Sequence, residues 1–160
     1  MDQAHRGLTK GKWMNTPHLV LLVEDNANDE MLAIRALKKA NVLIRVEVAR
    51  DGLEALEYIF GPEKPCPELI LLDLKLPKLS GLEVLKAIRA DDRSCRVQVV
   101  VFTSSNEPAD VVGCFDSGAN GYVRKSIDFE EYMQKVSKLA DYWLTVNEPC
   151  PQLTRNPVKA

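Results

Sequence analysis

The chain has 160 residues and a formal net charge of -2, with 21 basic and 23 acidic residues in no long run of either sign. A chain of this length forms one domain with tails and buries roughly two thirds of its unfolded surface. The balanced charge gives no indication of a surface for nucleic acid or an anionic membrane. No stretch reaches the ~20 apolar residues of a membrane span, and the N-terminus lacks the apolar core of a signal peptide. We therefore expect a cytoplasmic protein that binds neither DNA nor a membrane.

The cysteine spacing gives no sign of a zinc site or a disulfide framework. The four cysteines are scattered, at Cys66, Cys95, Cys114 and Cys150, whereas such sites use closely paired cysteines. We expect reduced thiols, in keeping with a cytoplasmic location.

Composition divides the chain into three segments. Residues 1–17 show no sustained period and predict a flexible N-terminal arm. Residues 18–146 carry the regular apolar patterns of a folded domain. Residues 147–160 contain three prolines and no apolar period, which predicts a C-terminal tail too short to be a further domain.

Five short segments have the composition of strands: residues 19–23, 44–48, 69–72, 97–102 and 121–123. The run at 69–72 is fully apolar, which indicates a strand buried on both faces, as in a parallel sheet covered by helices. The segment at 44–48 alternates apolar and charged residues, which is typical of a half-exposed strand near the sheet edge.

Helical patterns follow each of these strands. The first helix is predicted to begin at a cap that includes Asn28 and to run to about Ala40, and residues 52–60 form the second. Ser80 and Glu83 match a capping box for the third. Pro108 suits the first turn of the fourth, which we expect to bury the apolar side chains Val111, Val112 and Phe115.

The last helix is predicted from Asp128, paired with Glu131, to about Leu144. Its core stripe is Phe129, Met133, Val136, Ala140 and Trp143, and Tyr132, Leu139 and Tyr142 add apolar surface. This excess predicts a homodimer through the last strand and the last two helices. The alternative is a deeply seated terminal helix.

Alternation of strands and helices predicts an α/β fold with a doubly wound, five-stranded parallel sheet in the order 2-1-3-4-5. Polar side chains then fall at the carboxyl ends of neighbouring strands, where such sheets bind ligands. They are Glu24, Asp25, Asp73, Thr103 and Lys125. Asp73 alone could be a turn residue, but acids, a hydroxyl and an amine together favour a functional site.

The clustered acids need a cation, since three carboxylates within about 5 Å repel by roughly 3 kcal/mol per pair. Oxygen ligands with room for water suit Mg²⁺ or Mn²⁺ better than zinc. Asp25, Asp73 and the backbone carbonyl of Lys75 would hold such an ion. A free oxygen of Asp73 could then attack a phosphoryl group, whose oxygens Lys125 and Thr103 are suited to stabilise.

The set Glu24-Asp25, Asp73, Thr103, Tyr122 and Lys125 resembles the receiver domain of two-component response regulators, over about residues 19–144. The resemblance implies a flavodoxin-like fold in which Asp73 accepts a phosphoryl group from the histidine of a sensor kinase. Glu24 and Asp25 would organise Mg²⁺, and Lys125 and Thr103 would contact the phosphoryl oxygens. Tyr122 would be the aromatic switch that turns inward when Thr103 moves.

One position departs from the receiver pattern, in which a proline joined by a cis peptide usually follows the lysine. Here Ser126 follows Lys125, and a cis bond without proline costs about 3 to 4 kcal/mol. The bond is therefore trans with a remodelled loop, or it is held under strain. Together with the Tyr142-Trp143-Leu144 ending, the proline-rich loop before the third strand and the lack of an output domain, this feature resembles the single-domain regulators of bacterial phytochrome kinases.

We therefore expect a stand-alone response regulator that is not an enzyme, beyond catalysing its own phosphorylation and dephosphorylation. One rival is a phosphatase of the haloacid-dehalogenase type, which requires an acid two residues after the nucleophile, where this chain has Lys75. The other is a phosphate-independent binding module of the receiver fold, which only Ser126 favours.

Overall fold

The computed structural model describes residues 16–151. The flexible arm predicted for residues 1–17 lies outside the described residues, apart from Thr16 and Pro17, and so does the tail beyond Pro151. The proposed boundaries of arm and tail stay predictions. No helix within the described range is long and apolar enough to cross a membrane.

Five strands and five helices alternate along the chain, as predicted. The strands are β1 His18–Val23, β2 Ile44–Ala49, β3 Leu69–Leu72, β4 Gln98–Thr103 and β5 Gly121–Arg124. The helices are α1 Ala27–Lys38, α2 Gly52–Phe60, α3 Gly81–Ala90, α4 Pro108–Asp116 and α5 Phe129–Asp141, which continues as a π-helical turn over Tyr142–Val146. All strand pairs are parallel, and the order β2-β1-β3-β4-β5 confirms the predicted topology.

The sheet separates two apolar layers, because successive side chains of a strand point to opposite faces. One face packs against α1 and α5 and the other against α2 and α3. Toward α1 and α5 point Val20, Leu22, Leu69, Leu71, Val100 and Phe102. Toward α2 and α3 point Leu21, Val23, Ile70, Leu72 and Val99. The apolar run at 69–72 is thus buried on both faces, as its composition predicts.

Side-chain caps fix the starts of α1, α2, α3 and α5. The prediction of Asn28 as the cap of α1 is wrong, because Asn26 accepts the hydrogen bond from the Asp29 amide. The Ser80–Glu83 capping box of α3 is confirmed. Asp128 caps α5 by accepting from the Glu131 amide, as predicted. Each cap stands directly after a strand or its loop, so the chain turns back at the carboxyl edge of the sheet.

The core stripe of α5 differs in part from the prediction. Phe129 is 48% exposed, whereas Tyr132 and Leu139 are buried with Met133 and Val136. The helix sits deeper and is rotated from the predicted face, because the ring of Tyr132 packs at a tilt of 55° against the ring of Phe102 and fills the first layer. Most of the apolar excess on this helix is therefore core.

The prediction that α4 buries Val112 and Phe115 is wrong. These side chains are 58% and 50% exposed, and the buried residue of the helix is Cys114. The helix lies beside the edge strand β5, so it has only a narrow contact with the sheet. Val112 and Phe115 therefore face outward, while Val111 is half-buried.

Arg89 holds the amino edge of the sheet together. Its guanidinium donates to the carbonyls of Gly118 at 2.8 Å, Val97 at 2.6 Å and Cys95 at 3.1 Å, and to Asn120 Oδ1 at 2.8 Å. Gly118 adopts a φ of 98°, and a Cβ there would lie 2.9 Å from the Arg89 side chain. A glycine at this turn therefore lets the guanidinium reach the carbonyls.

Gln98 ties the end of α5 to the same edge. Its Nε2 donates to the carbonyls of Glu68 at 2.9 Å and Trp143 at 3.2 Å. Its Oε1 accepts from Asn147 Nδ2 at 2.6 Å. This amide thus fixes where the chain leaves the π-helical turn.

Candidate functional site

The carboxyl edge of the sheet brings together the polar side chains that follow β1, β3 and β5. The register pairs Val23 with Leu72, so the residues after them, Glu24 and Asp73, stand side by side. The Asp73 amide donates to the carbonyl of Val23 at 3.1 Å, and the Lys125 amide donates to that of Thr103 at 2.7 Å. Strand pairing alone therefore fixes the main chain beneath these side chains.

Lys125 is the centre of the cluster. Its ammonium Nζ lies 3.0 Å from Asp73 Oδ2, 2.5 Å from Glu24 Oε1 and 3.0 Å from Asp29 Oδ2. The side chains of Lys125 and Glu24 are 8% and 3% exposed. The sequence predicted the approach to Glu24 and Asp73. It missed Asp29, an acid in the first turn of α1. The position of Asp29 one turn beyond the Glu24-Asp25 pair is the signal that could have found it.

Burial shapes the electrostatics of the pair Glu24 and Lys125. Desolvation raises the pKa of Glu24 from 4.5 to about 7, with a further rise from the charge of Asp73 and an opposing effect of Lys125. Burial lowers the pKa of Lys125, but its hydrogen bond to Glu24 and the charge of Asp73 outweigh this and raise it above its usual value. Lys125 therefore stays protonated, while Glu24 is short of compensating positive charge.

Three acids of the cluster could hold a metal ion. Glu24, Asp25 and Asp73 each present a carboxylate oxygen, and these oxygens lie within 4.8 Å of one another. A set of carboxylates with one exposed member, Asp25, fits a hard divalent ion that keeps some of its water. Lys75 is exposed, and its amide donates to Asp73 Oδ1 at 3.3 Å. Metal binding by its carbonyl stays a prediction.

Gly81 determines how closely α3 approaches Asp73. A Cβ at this position would lie 2.1 Å from the carbonyl oxygen of Asp73, a distance at which atoms overlap. The Gly81 amide donates to the carbonyl of Leu74 at 2.9 Å. The glycine thus allows the loop after β3 to fold back tightly, which leaves the carboxylate of Asp73 facing the acids of β1.

Thr103 and Tyr122 both contact the loop after β4. Thr103 is fully buried, and its Oγ1 accepts a long hydrogen bond of 3.5 Å from the Ser105 amide. The half-buried Tyr122 donates its hydroxyl to the carbonyl of Ser105 at 3.0 Å, and burial raises its pKa. The two residues are therefore joined through Ser105, and their roles in a switch stay predictions.

The Lys125–Ser126 peptide bond is trans, as are the other peptide bonds of residues 16–151. Of the two alternatives left open by the sequence, the trans bond is present. The ammonium of Lys125 nevertheless reaches Asp73 at 3.0 Å.

Residues 20–137 match the response regulator receiver domain, and the chain belongs to this family. It is close to the phytochrome response regulators of cyanobacteria. Response regulator Rcp1 of Synechocystis is 36% identical over 140 residues, which cover 84% of this chain and 95% of the relative.

Two solved structures share this fold closely. The phosphorylated cyanobacterial phytochrome response regulator RcpA aligns with a TM-score of 0.81 at 34% identity, over 85% of this chain and all of the other. The Mn²⁺-bound form of Rcp1 aligns with a TM-score of 0.79 at 33% identity, over 84% of this chain and 100% of the other. The predicted flavodoxin-like receiver fold is thus confirmed.

Proposed function

We propose that Asp73 accepts a phosphoryl group from a phosphohistidine, and that this modification carries a signal. One observation carries the proposal: the Asp73 carboxylate contacts the ammonium of Lys125 at 3.0 Å and shares a 4.8 Å cluster with Glu24 and Asp25. A nucleophilic carboxylate next to a fixed positive charge is the arrangement that phosphoryl transfer needs.

In the transfer, a carboxylate oxygen of Asp73 attacks phosphorus and forms an O–P bond. The P–N bond to the donor histidine breaks, and its electron pair stays on the imidazole nitrogen. Lys125 would donate to one phosphoryl oxygen, and Thr103 to another once its hydroxyl leaves Ser105. Mg²⁺ or Mn²⁺, held by Glu24, Asp25, Asp73 and the carbonyl of Lys75, would supply further neutralising charge. The metal form of Rcp1 supports this assignment.

We further propose a sensor histidine kinase of the phytochrome type as the phosphoryl donor. The likeness to Rcp1 and RcpA supports it, since RcpA is described as a phytochrome response regulator and was solved in its phosphorylated form. Tyr122 would sense the movement of Thr103 through Ser105. The protein would act on no substrate besides its own aspartate. Its cytoplasmic location and lack of DNA binding stay predictions.

The mass of the intact protein after incubation with acetyl phosphate and Mg²⁺ tests the acceptor role. We expect a gain of one phosphoryl group in the wild type and none in Asp73→Asn or with EDTA. A gain that persists in Asp73→Asn contradicts the assignment of Asp73. No gain with either acetyl phosphate or a phosphorylated phytochrome kinase favours the alternative, a phosphate-independent binding module. Ser126 is the observation behind that alternative, and the retained contact between Lys125 and Asp73 weighs against it.

A homodimer through β5, α4 and α5 remains part of the proposal. The exposed side chains of Val112 and Phe115 on α4 and Tyr142 after α5 supply apolar surface for it. Sedimentation equilibrium over a concentration series should give a dimer that Phe115→Asp weakens. A wild-type protein that stays monomeric with and without phosphorylation contradicts the dimer.

A further inference from the structure

Asp29 makes an ion pair that reaches the acceptor site from α1. Its Oδ2 lies 3.0 Å from the ammonium of Lys125, and its side chain is 33% exposed. The residue stands in the first turn of α1, outside the strand ends that supply the other acids. It thus connects a surface helix to the lysine that contacts Asp73.

The three contacts of Lys125 use its full set of donors. A lysine ammonium has three N–H groups, and its three carboxylate partners here are Glu24, Asp29 and Asp73. The contacts with Asp29 and Asp73 are both 3.0 Å, so one position of the ammonium satisfies both. Asp29 therefore holds Lys125 beside the acceptor and does not draw it away.

The cluster of acids that could hold a metal ion contains only two of these partners. Its members are Glu24, Asp25 and Asp73, so a cation bound there would compete with Lys125 for Glu24 and Asp73. The Asp29 carboxylate, which is outside that cluster, would still accept a hydrogen bond from the Lys125 ammonium. It is thus the carboxylate that can position Lys125 once the other two are engaged.

The main chain of Asp29 is fixed by groups other than its own carboxylate. Its amide donates to Asn26 Oδ1 at 3.0 Å, and its carbonyl accepts from the hydroxyl of Tyr132 at 3.2 Å. The ring of Tyr132 packs on Phe102, whose ring centroid lies 5.8 Å from Lys125 Nζ. A substitution of the Asp29 side chain therefore leaves the capping bond and the tyrosine contact in place.

We propose that Asp29 is a positioning residue that keeps Lys125 at the phosphoryl acceptor when a divalent ion engages the other acids. The proposal rests on the proposed function, phosphorylation of Asp73. It gives α1 a role in placing Lys125, which in this chain is followed by Ser126 instead of a proline.

A proton–nitrogen NMR spectrum of the Lys125 ammonium tests the positioning without any phosphorylation. An ammonium held by hydrogen bonds gives a visible signal, whereas a free one exchanges its protons with water too fast; Lys125→Met identifies the signal. We expect the wild type to show it with and without Mg²⁺. Asp29→Ala has no side-chain oxygen for the ammonium, so it should show the signal only without Mg²⁺, when Glu24 and Asp73 remain available.

The control is Glu30→Gln, which removes one negative charge from the same turn of α1 but pairs with Arg50 instead of Lys125. It should keep the signal in both conditions. A signal that Asp29→Ala retains with Mg²⁺, or that the wild type loses on adding Mg²⁺, overturns the proposal.

Phosphorylation kinetics test whether the contact between Asp29 and Lys125 affects the phosphorylation of Asp73. At saturating Mg²⁺, Asp29→Ala should lower the rate at saturating acetyl phosphate about tenfold and change KM for the donor less than about twofold, since a positioning contact acts on the transition state. Glu30→Gln should keep both values. A rate for Asp29→Ala equal to that of Glu30→Gln overturns the proposal. Failure of the wild type to take any phosphoryl group overturns instead the proposed function, and the ammonium signal distinguishes the two cases.

Discussion

The two edges of the sheet contrast in how their buried polar groups are balanced. At the amino edge, the side chains of Arg89 and Gln98 donate to main-chain carbonyls, so that donors and acceptors are paired. At the carboxyl edge, one ammonium faces the carboxylates of Glu24, Asp29 and Asp73. At the amino edge the hydrogen bonds are satisfied by neutral oxygens, whereas the carboxyl edge has more negative than positive charge.

The two edges therefore serve different purposes: the amino edge stabilises the fold, and the carboxyl edge carries the groups of the proposed reaction. Satisfied hydrogen bonds between neighbouring elements hold a fold, because breaking one leaves a buried carbonyl without a partner. An excess of buried negative charge costs stability but leaves the acids free to bind a cation and to react. The imbalance at the carboxyl edge is therefore the physical basis of the proposed reactivity of Asp73.

The largest expected effect comes from removing the cation of the carboxyl edge. Lys125→Met should lower the free energy of unfolding of the metal-free protein by about 4 kcal/mol, since it leaves buried carboxylates unpaired. Mg²⁺ should restore most of the loss. Urea unfolding in EDTA and in Mg²⁺ measures both values. Lys78→Met is the control, because that lysine is 59% exposed where it pairs with Asp51; equal losses in the two variants would contradict the contrast.

The matching change at the amino edge should cost somewhat less and should not respond to metal. Arg89→Met removes four hydrogen bonds to carbonyl oxygens and should lower the free energy of unfolding by about 3 kcal/mol. Urea unfolding of Arg93→Met provides the comparison, since Arg93 is 57% exposed and its loss should cost little. A recovery of Arg89→Met on addition of Mg²⁺ would mean that the two edges are coupled.

The pH dependence of stability tests whether the fold raises the pKa of Glu24. Its pKa is raised from 4.5 to about 7 in the fold, so the folded protein retains a proton that the unfolded chain has released. The stability that this neutral form contributes is full below the unfolded pKa and is lost as pH rises through the folded pKa. The metal-free protein should therefore lose about 2 kcal/mol between about pH 5 and about pH 8. Urea unfolding of Glu24→Gln should lack this slope, and an equal slope would refute the assignment.

The smallest effect concerns Asn147, where the chain leaves the π-helical turn at the amino edge of the sheet. Asn147→Ala removes the hydrogen bond to Gln98 Oε1 and should lower the free energy of unfolding by about 1 kcal/mol. Thermal unfolding compares it with Glu148→Ala, an exposed neighbour whose removal should change little. If the two variants unfold alike, Gln98 does not fix the exit of the chain.

Local patterns were sufficient to predict most elements of the fold. The apolar run at 69–72, the Ser80–Glu83 capping box and Asp128 depend on nearest neighbours in the sequence, and all three are confirmed. The exposure of the Val112 and Phe115 side chains could not be predicted from such local patterns. A helix beside an edge strand contacts the sheet along a narrow line, and the sequence of that helix does not show where the edge lies.

The sequence by itself determined the order of strands and helices, because hydrophobic period and caps are properties of short segments. It also determined that Glu24, Asp73 and Lys125 would meet, since parallel strands present their carboxyl ends at one edge. Only the tertiary structure decided that Asp29 joins Lys125 and that Arg89 binds four separate oxygen atoms. Those contacts depend on how helices are rotated on the sheet, and that rotation is set by packing between residues far apart in the chain.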